Sequence, residues 1–201
     1  MREKLRTAIM DGVLEPGEIL RDAELTAWLG VSRTPLRAAI ADLERDGLVE
    51  MASNQYTRVA VPSDADIVAA MHMMGIMRSG AVDLALPVMG AESILQVQHM
   101  CTHLAEQTRT RNLEGMRASF NPMFRMIEEH VSNRFYHATV ASNIDGLIFR
   151  TRVGVVVAMM GDDGMERFAR EAEGLREAFA SANVRAVREA TEMLHLGWMS
   201  E

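Results

Sequence analysis

The sequence is short of everything that staples a chain or anchors it. Cys101 is the single cysteine in 201 residues, so an internal disulfide and a disulfide-stapled secreted fold are excluded. Aromatic residues make up only 5%, against 17 methionines, and the core is expected to be aliphatic and thioether. The longest apolar run, residues 153–160, is too short for a membrane helix. No charged-then-apolar leader is read at the start, and a reduced, cytoplasmic protein is expected. Lysine is nearly missing too: Lys4 stands alone among 21 Lys and Arg. Genome base composition can produce such a bias, and arginine also favours bidentate contacts with carboxylate, phosphate and guanine. The formal charge of −7 argues against a protein that coats nucleic acid non-specifically. It leaves room for a reader with a small basic surface.

What remains is an ordinary globular balance, 48% hydrophobic and 24% charged, which excludes a disordered chain. Length allows one large domain or two modest ones. The organisation changes at Val59-Ala-Val-Pro62-Ser63-Asp64, where a β-rich run stops at proline and Ser63 or Asp64 offers a helix cap. Two domains are expected, 1–61 and 62–201. In the first, Leu5, Ala8 and Ile9 mark one helix face. Asp22 is positioned to cap a helix ending at Leu29, and Ser32 to cap the next, with Leu36, Ala39, Ile40 and Leu43 inward. Gly30 and Gly47 are the stops. Two short strands, 48–51 and 57–61, flank Ala52-Ser-Asn-Gln-Tyr56. Helices followed by a hairpin give the winged helix-turn-helix plan. Beyond residue 62 about six helices follow, near 64–86, 91–108, 112–119, 121–142, 145–160 and 163–196, the last broken near 181–183. The fold class is mainly α: a winged helix-turn-helix with a small hairpin, then an antiparallel helical bundle.

The segment Leu25-Thr-Ala-Trp-Leu-Gly-Val-Ser-Arg-Thr-Pro-Leu-Arg37 carries the clearest chemistry. A tight turn at Gly30-Val31 joins two short helices. The second opens with free backbone N–H groups and a positive dipole end, suited to phosphate. Arg33 and Arg37 are four apart and share a side, where they can meet guanine O6 and N7. Residues 1–61 carry eight Lys and Arg against ten Asp and Glu, so affinity must come from placement rather than bulk charge.

These residues resemble the GntR family of bacterial transcription regulators. The match runs through Gly12-Val-Leu-Glu-Pro-Gly17, Leu25, Gly30-Val-Ser-Arg-Thr-Pro-Leu-Arg37 and Leu43-Glu-Arg-Asp-Gly-Leu-Val49. The resemblance implies DNA contacts from Ser32, Arg33, Thr34 and Arg37. Tyr56 replaces the glycine usual at the wing tip, and Arg58 is the cation left to contact a phosphate or groove. A winged helix used only for protein contacts is the alternative.

In the second part, Ile67, Met71, Met74, Ala81 and Ala85 follow helical spacing, and Arg78 falls on the same stripe. An inward arginine needs an anion. The anion is either a ligand or an internal acid such as Asp83 or Glu106. Further on, Phe124, Ile127, Val131, Phe135 and Ala138 make one apolar face of the expected 121–142 helix. His130, Asn133 and His137 make a stripe beside it, where imidazoles either converge on a metal or polar ligand or are satisfied helix residues. Asn133-Arg-Phe-Tyr-His137 with Ala141-Ser-Asn143 resembles the FadR-type ligand-binding bundle, the FCD domain. That resemblance implies an effector pocket using Arg78, Asn133, His137, Asn143 and His195. It also implies a divalent metal (zinc, nickel or manganese) on Asn133, His137, Glu173 and His195, although Asn133 stands for an aspartate and Glu173 for a histidine. A weaker metal site and a metal-free polar pocket are both compatible with those changes. His72, His99 and His103 read as surface or packing residues.

The expectation is a non-enzymatic, homodimeric regulator on a palindromic operator, modulated by a small carboxylate. A constitutive regulator with a degenerate pocket and a small helical metalloenzyme are the alternatives. The sequence shows no HExxH, nucleophile elbow or phosphate loop to support the latter.

Overall fold

Backbone pairing in the computed structural model, which describes residues 1–52 and 55–199, follows the punctuation of the sequence closely in the first part. Helix α1 (Arg2–Met10) buries Leu5, Ala8 and Ile9. Helix α2 (Asp22–Leu29) stops at Gly30, whose φ of 68° is left-handed and carries no Cβ penalty in glycine. Helix α3 (Arg33–Arg45) begins after Ser32 and buries Leu36, Ala39, Ile40 and Leu43, the stripe that the spacing predicts. Strands β1 (Val49–Ala52) and β2 (Tyr56–Val59) form an antiparallel hairpin in which Glu50 faces Arg58 and Ala52 faces Tyr56. Ser53 and Asn54 of the expected wing lie outside the described residues.

One cap differs from expectation. Arg21, not Asp22, takes the N-cap position of α2, and Asp22 is the first helical residue. Its carboxylate is engaged elsewhere, by Arg37.

The chain divides into two compact units. The first holds residues 1–65 and, from far along the chain, residues 141–150. Those ten residues are the second half of helix α7 (Arg134–Arg150). Phe149, fully buried, joins a core with Leu5, Ile9, Leu36, Leu43 and Leu48. Arg6 grips the Asp145 carboxylate with two N–H groups, Nη2 to Oδ1 at 2.6 Å. Arg150 donates to the Gly47 carbonyl at 3.1 Å. The sequence assigned this stretch to the second part. Its attachment rests on contacts more than a hundred residues apart.

Among its described residues the second unit consists of helices joined by short loops, with no strand. It is built from α4 (Asp64–Ala85), α5 (Ala91–Arg109), α6 (Leu113–Glu128), the start of α7, α8 (Val153–Ser181) and α9 (Val184–Leu196). Its core includes Met71, Val97, Leu104, Phe124, Phe168 and Leu194. Two boundaries correct the sequence reading. Residues 113–128 are one helix running through Pro122. The expected helix over 121–142 is broken after Glu128, where the Asn133 side chain accepts the N–H groups of Phe135 (2.9 Å) and Tyr136 (3.2 Å) and starts α7 afresh. Phe135, expected inward with Phe124, is consequently 68% exposed. His130 and Asn133 lie outside any helix and share no helical stripe with His137. Likewise α7 and α8 meet at Thr151-Arg152, inside the helix expected over 145–160.

Candidate nucleic-acid interface and buried arginine

The first turn of α3 turns its polar side to solvent. Ser32, Arg33, Thr34 and Arg37 are all exposed, while Leu36 between them is fully buried. The buried leucine fixes the helix roll, so the two arginines must project outward together. Ser32 occupies the N-cap in extended backbone without a side-chain cap bond. The backbone donors of that turn are therefore not capped by its hydroxyl. No acid stands in this first turn, so the dipole end keeps its positive character.

Arg33, Arg37, Tyr56 and Thr57 line one crevice between α3 and the hairpin, with Asp22 and Gln55. Arg37 is paired with Asp22: Nε and Nη2 both reach Oδ2 at 2.9 Å. On the hairpin, Arg58 Nε donates to Glu50 Oε2 at 2.9 Å. The Tyr56 ring lies 4.6 Å from the Arg58 guanidinium carbon. The Arg58 hydrogen bond, aided by the Val61 N–H, holds the Glu50 carboxyl below its usual range. Among the described residues Arg33 has no ion-pair partner.

In the second unit Arg78 is 3% exposed and sits on the buried stripe of α4, as its spacing predicts. Neither Asp83 nor Glu106 meets it; Asp83 pairs with Arg188 instead. Arg78 Nη2 donates to Asn121 Oδ1 at 2.8 Å, and Nη1 contacts His195 Nε2 at 3.2 Å. The guanidinium lies over Phe124 at 4.2 Å and Phe120 at 5.0 Å. Its Nε has no partner. Glu128 is the acid whose field reaches it, from beyond ion-pair distance. Burial pushes the Arg78 pKa down to about 10, so it remains a cation at neutral pH. Burial, and then the Arg78 charge, pushes His195 down to about 3. Burial also raises the Glu128 carboxyl and Tyr136 hydroxyl, which hydrogen-bond each other at 3.3 Å.

Residues 1–59 match the family model described as bacterial regulatory proteins, gntR family. The first 59 residues are thus similar to a GntR-type DNA-binding module. An uncharacterised HTH-type transcriptional regulator of Bacillus subtilis, YdhC, is 24% identical over 92% of this chain and 82% of its own length. A second uncharacterised HTH-type regulator, from Agrobacterium vitis, is 38% identical over 31% of this chain and 37% of its own. Among solved structures, Escherichia coli McbR/YncC superposes with a TM-score of 0.68 at 17% identity, covering 98% of this chain and 92% of that one. A GntR transcriptional regulator structure from Rhodococcus sp. RHA1 gives 0.67 at 19% identity, covering 98% and 95%. At those identities the likeness is one of fold.

The expected ligand residues are only partly assembled. Arg78 and His195 are brought together. Asn133 caps α7, and His137 Nε2 donates to the Val131 carbonyl. Asn143 lies in the stretch that packs with the first unit. Glu173 is held at the surface by Arg109 at 2.7 Å.

The four-residue metal set does not fit one divalent ion in this arrangement. His137, Glu173 and His195 form no common cluster, and among the described residues no group of three His, Cys, Asp or Glu could hold a metal. His195 illustrates the physical obstacle. The Thr191 carbonyl can only accept, so Nδ1 carries the proton. Nε2 therefore offers a lone pair, which the Arg78 N–H takes. A fixed cation occupies the direction in which a metal would approach.

Sequence reasoning missed Asn121, Glu128 and Tyr136 around Arg78, and Asp22 and Glu50 beside the exposed arginines. The Glu50–Arg58 pair was open to inference from hairpin symmetry about the wing. Asp22 and Arg37 are 15 residues apart across a helix-turn-helix, and no local period connects them.

Proposed function

We propose that the regulator binds a specific DNA duplex through the first turn of α3. It acts as a homodimer on a palindromic operator, and a small carboxylate held by the bundle changes its affinity. The observation that carries the reading is the exposed set Ser32, Arg33, Thr34 and Arg37 on a helix whose opposite side is locked in the core. A single such helix spans a few base pairs, and two related by a two-fold axis match half-sites about one helical turn apart. The effector part is supported by Arg78, a buried cation with no carboxylate in contact and an unpartnered Nε. Burying such a charge is costly, and an anion beside it recovers part of that cost. Phe120, under the guanidinium, also lines an apolar slot with Met71, Leu104 and Phe168. That pairing of charge and apolar wall matches the chemistry of a small acid with an apolar body, and the slot, about 20 Å³, must widen to admit one.

The test uses the full chain and the duplex it selects from a random pool. Arg33→Ala is expected to weaken binding by about 1–3 kcal/mol, the range for one arginine contact, with thermal stability unchanged. Equal affinity would overturn the assignment of α3. A panel of small carboxylates should include members that shift operator affinity in the parent and not in Arg78→Ala. If none does, the effector part fails and the constitutive reading replaces it.

A further inference from the structure

The Arg37–Asp22 pair has a geometry that bears on selectivity and rests on the DNA-binding reading above. We infer that Asp22 is a positioning residue for Arg37: it fixes the guanidinium for base contact and keeps it off non-specific phosphate.

Arg37 Nε and Nη2 both reach the same oxygen, Asp22 Oδ2. That contact consumes the Nε edge of the guanidinium. The other edge, between Nη1 and Nη2, retains two parallel donors. Guanine O6 and N7 require two donors from one edge. A carboxylate on the Nε edge therefore orients the fork without blocking it.

Charge supplies the second half. Arg37 is 66% exposed and Asp22 only 22%. The acid is set back in the first turn of α2. A phosphate approaching Arg37 meets a cation already neutralised by a neighbour with the same chemistry. Phosphate contact supplies most non-specific affinity, so this pairing suppresses it. A guanine edge is uncharged and has no such competitor. Arg33, one turn earlier on α3, has no carboxylate partner among the described residues and stays available to phosphate. The hairpin repeats the device, with Glu50 against Arg58. The exposed pair itself contributes little to folding, so removing the acid leaves the fold intact.

The experiment compares Asp22→Asn with the parent full chain on two probes: the duplex selected from a random pool, and a random duplex of equal length. For Asp22→Asn, random-duplex affinity should rise about 3- to 10-fold as one competing charge is lost. The ratio of selected to random affinity should fall by at least that factor, with the melting temperature unchanged. A purely structural role would lower the melting temperature and weaken both probes in parallel. That outcome, or an unchanged ratio, overturns the inference. Arg37→Ala is the control on the reading beneath it. If Arg37→Ala leaves selected-duplex affinity unchanged, or no duplex is selected, the DNA-binding role of this face fails as well. If Arg37→Ala weakens binding while Asp22→Asn keeps the ratio, only the role of Asp22 fails.

Discussion

Arg78 and His195 show how one residue's state is set by another 117 positions away. The guanidinium donates to a ring nitrogen that must be neutral to accept. Burial reinforces this, leaving His195 with a pKa of about 3 in the folded protein against 6.5 for an ordinary histidine. Between those values the unfolded chain binds a proton that the folded chain refuses. Acid therefore favours unfolding: the contribution of His195 is intact above about pH 6.5 and lost progressively as pH falls toward 3. The slope cannot exceed about 1.4 kcal/mol per pH unit for one group. We expect His195→Gln to flatten the dependence of melting temperature on pH between 6.5 and 4.5 relative to the parent. Parallel curves would show that His195 titrates normally. At the same scale, Cys101 is fully buried and its thiol is pushed up to about 12 by desolvation. Its role is packing against Met123. The inward position of Arg78 was legible from its four-residue spacing on α4. Its neighbours were not, because Asn121 and His195 reach it only through helix packing.

Among the elements, α3 and α7 contrast. Helix α3 was legible at both ends: Ser32 and Gly47 punctuate it, and its buried stripe has one period. Helix α7 was not, although its signal is present. Asn133 starts the helix by accepting two backbone N–H groups, yet the same residue resembles a metal ligand of the FadR-type bundle. The local hydrogen-bonding need prevails in the structure. The far half of α7 depends on Gly146, which comes so close to Asp46 that an added Cβ would strike the Asp46 carbonyl oxygen. Gly146→Ala thus opposes two effects. Helix propensity favours alanine by about 1 kcal/mol, while the backbone clash must separate the two segments. The clash cannot be relieved by a side-chain rotation, so we expect a lower melting temperature. A raised one would show that the helix shifts freely.

At the scale of the molecule, the first unit is completed by residues 141–150, which follow its main stretch, residues 1–65, by more than seventy positions. Phe149 is fully buried in its core, and Asp145 and Arg150 tie it at Arg6 and Gly47. Losing a buried phenylalanine costs about 3–5 kcal/mol, a large share of the 5–15 kcal/mol of a typical domain. A fragment of residues 1–65 is therefore expected to melt well below the same unit in the full chain and to be cut faster by protease. Equal stability in a circular-dichroism melt would show that residues 141–150 are dispensable. Within described residues no helix is long and apolar enough to cross a membrane, in keeping with the short apolar runs of the sequence.

The sequence by itself determined the features written within a turn or two of chain: the helix-turn-helix, the hairpin, the first two bundle helices, the break near residues 181–183, the buried stripe of α3 and the inward Arg78. Those follow from backbone sterics, capping and the 3.6-residue period, which act over a few residues. The tertiary structure alone decided the pairings: Asp22 with Arg37, Arg78 with His195 and Asn121, Phe149 with the first core, and Glu173 with Arg109 away from both histidines. Each depends on which helix faces meet, and that is settled by the packing of apolar surface across the whole unit rather than by any period in the chain.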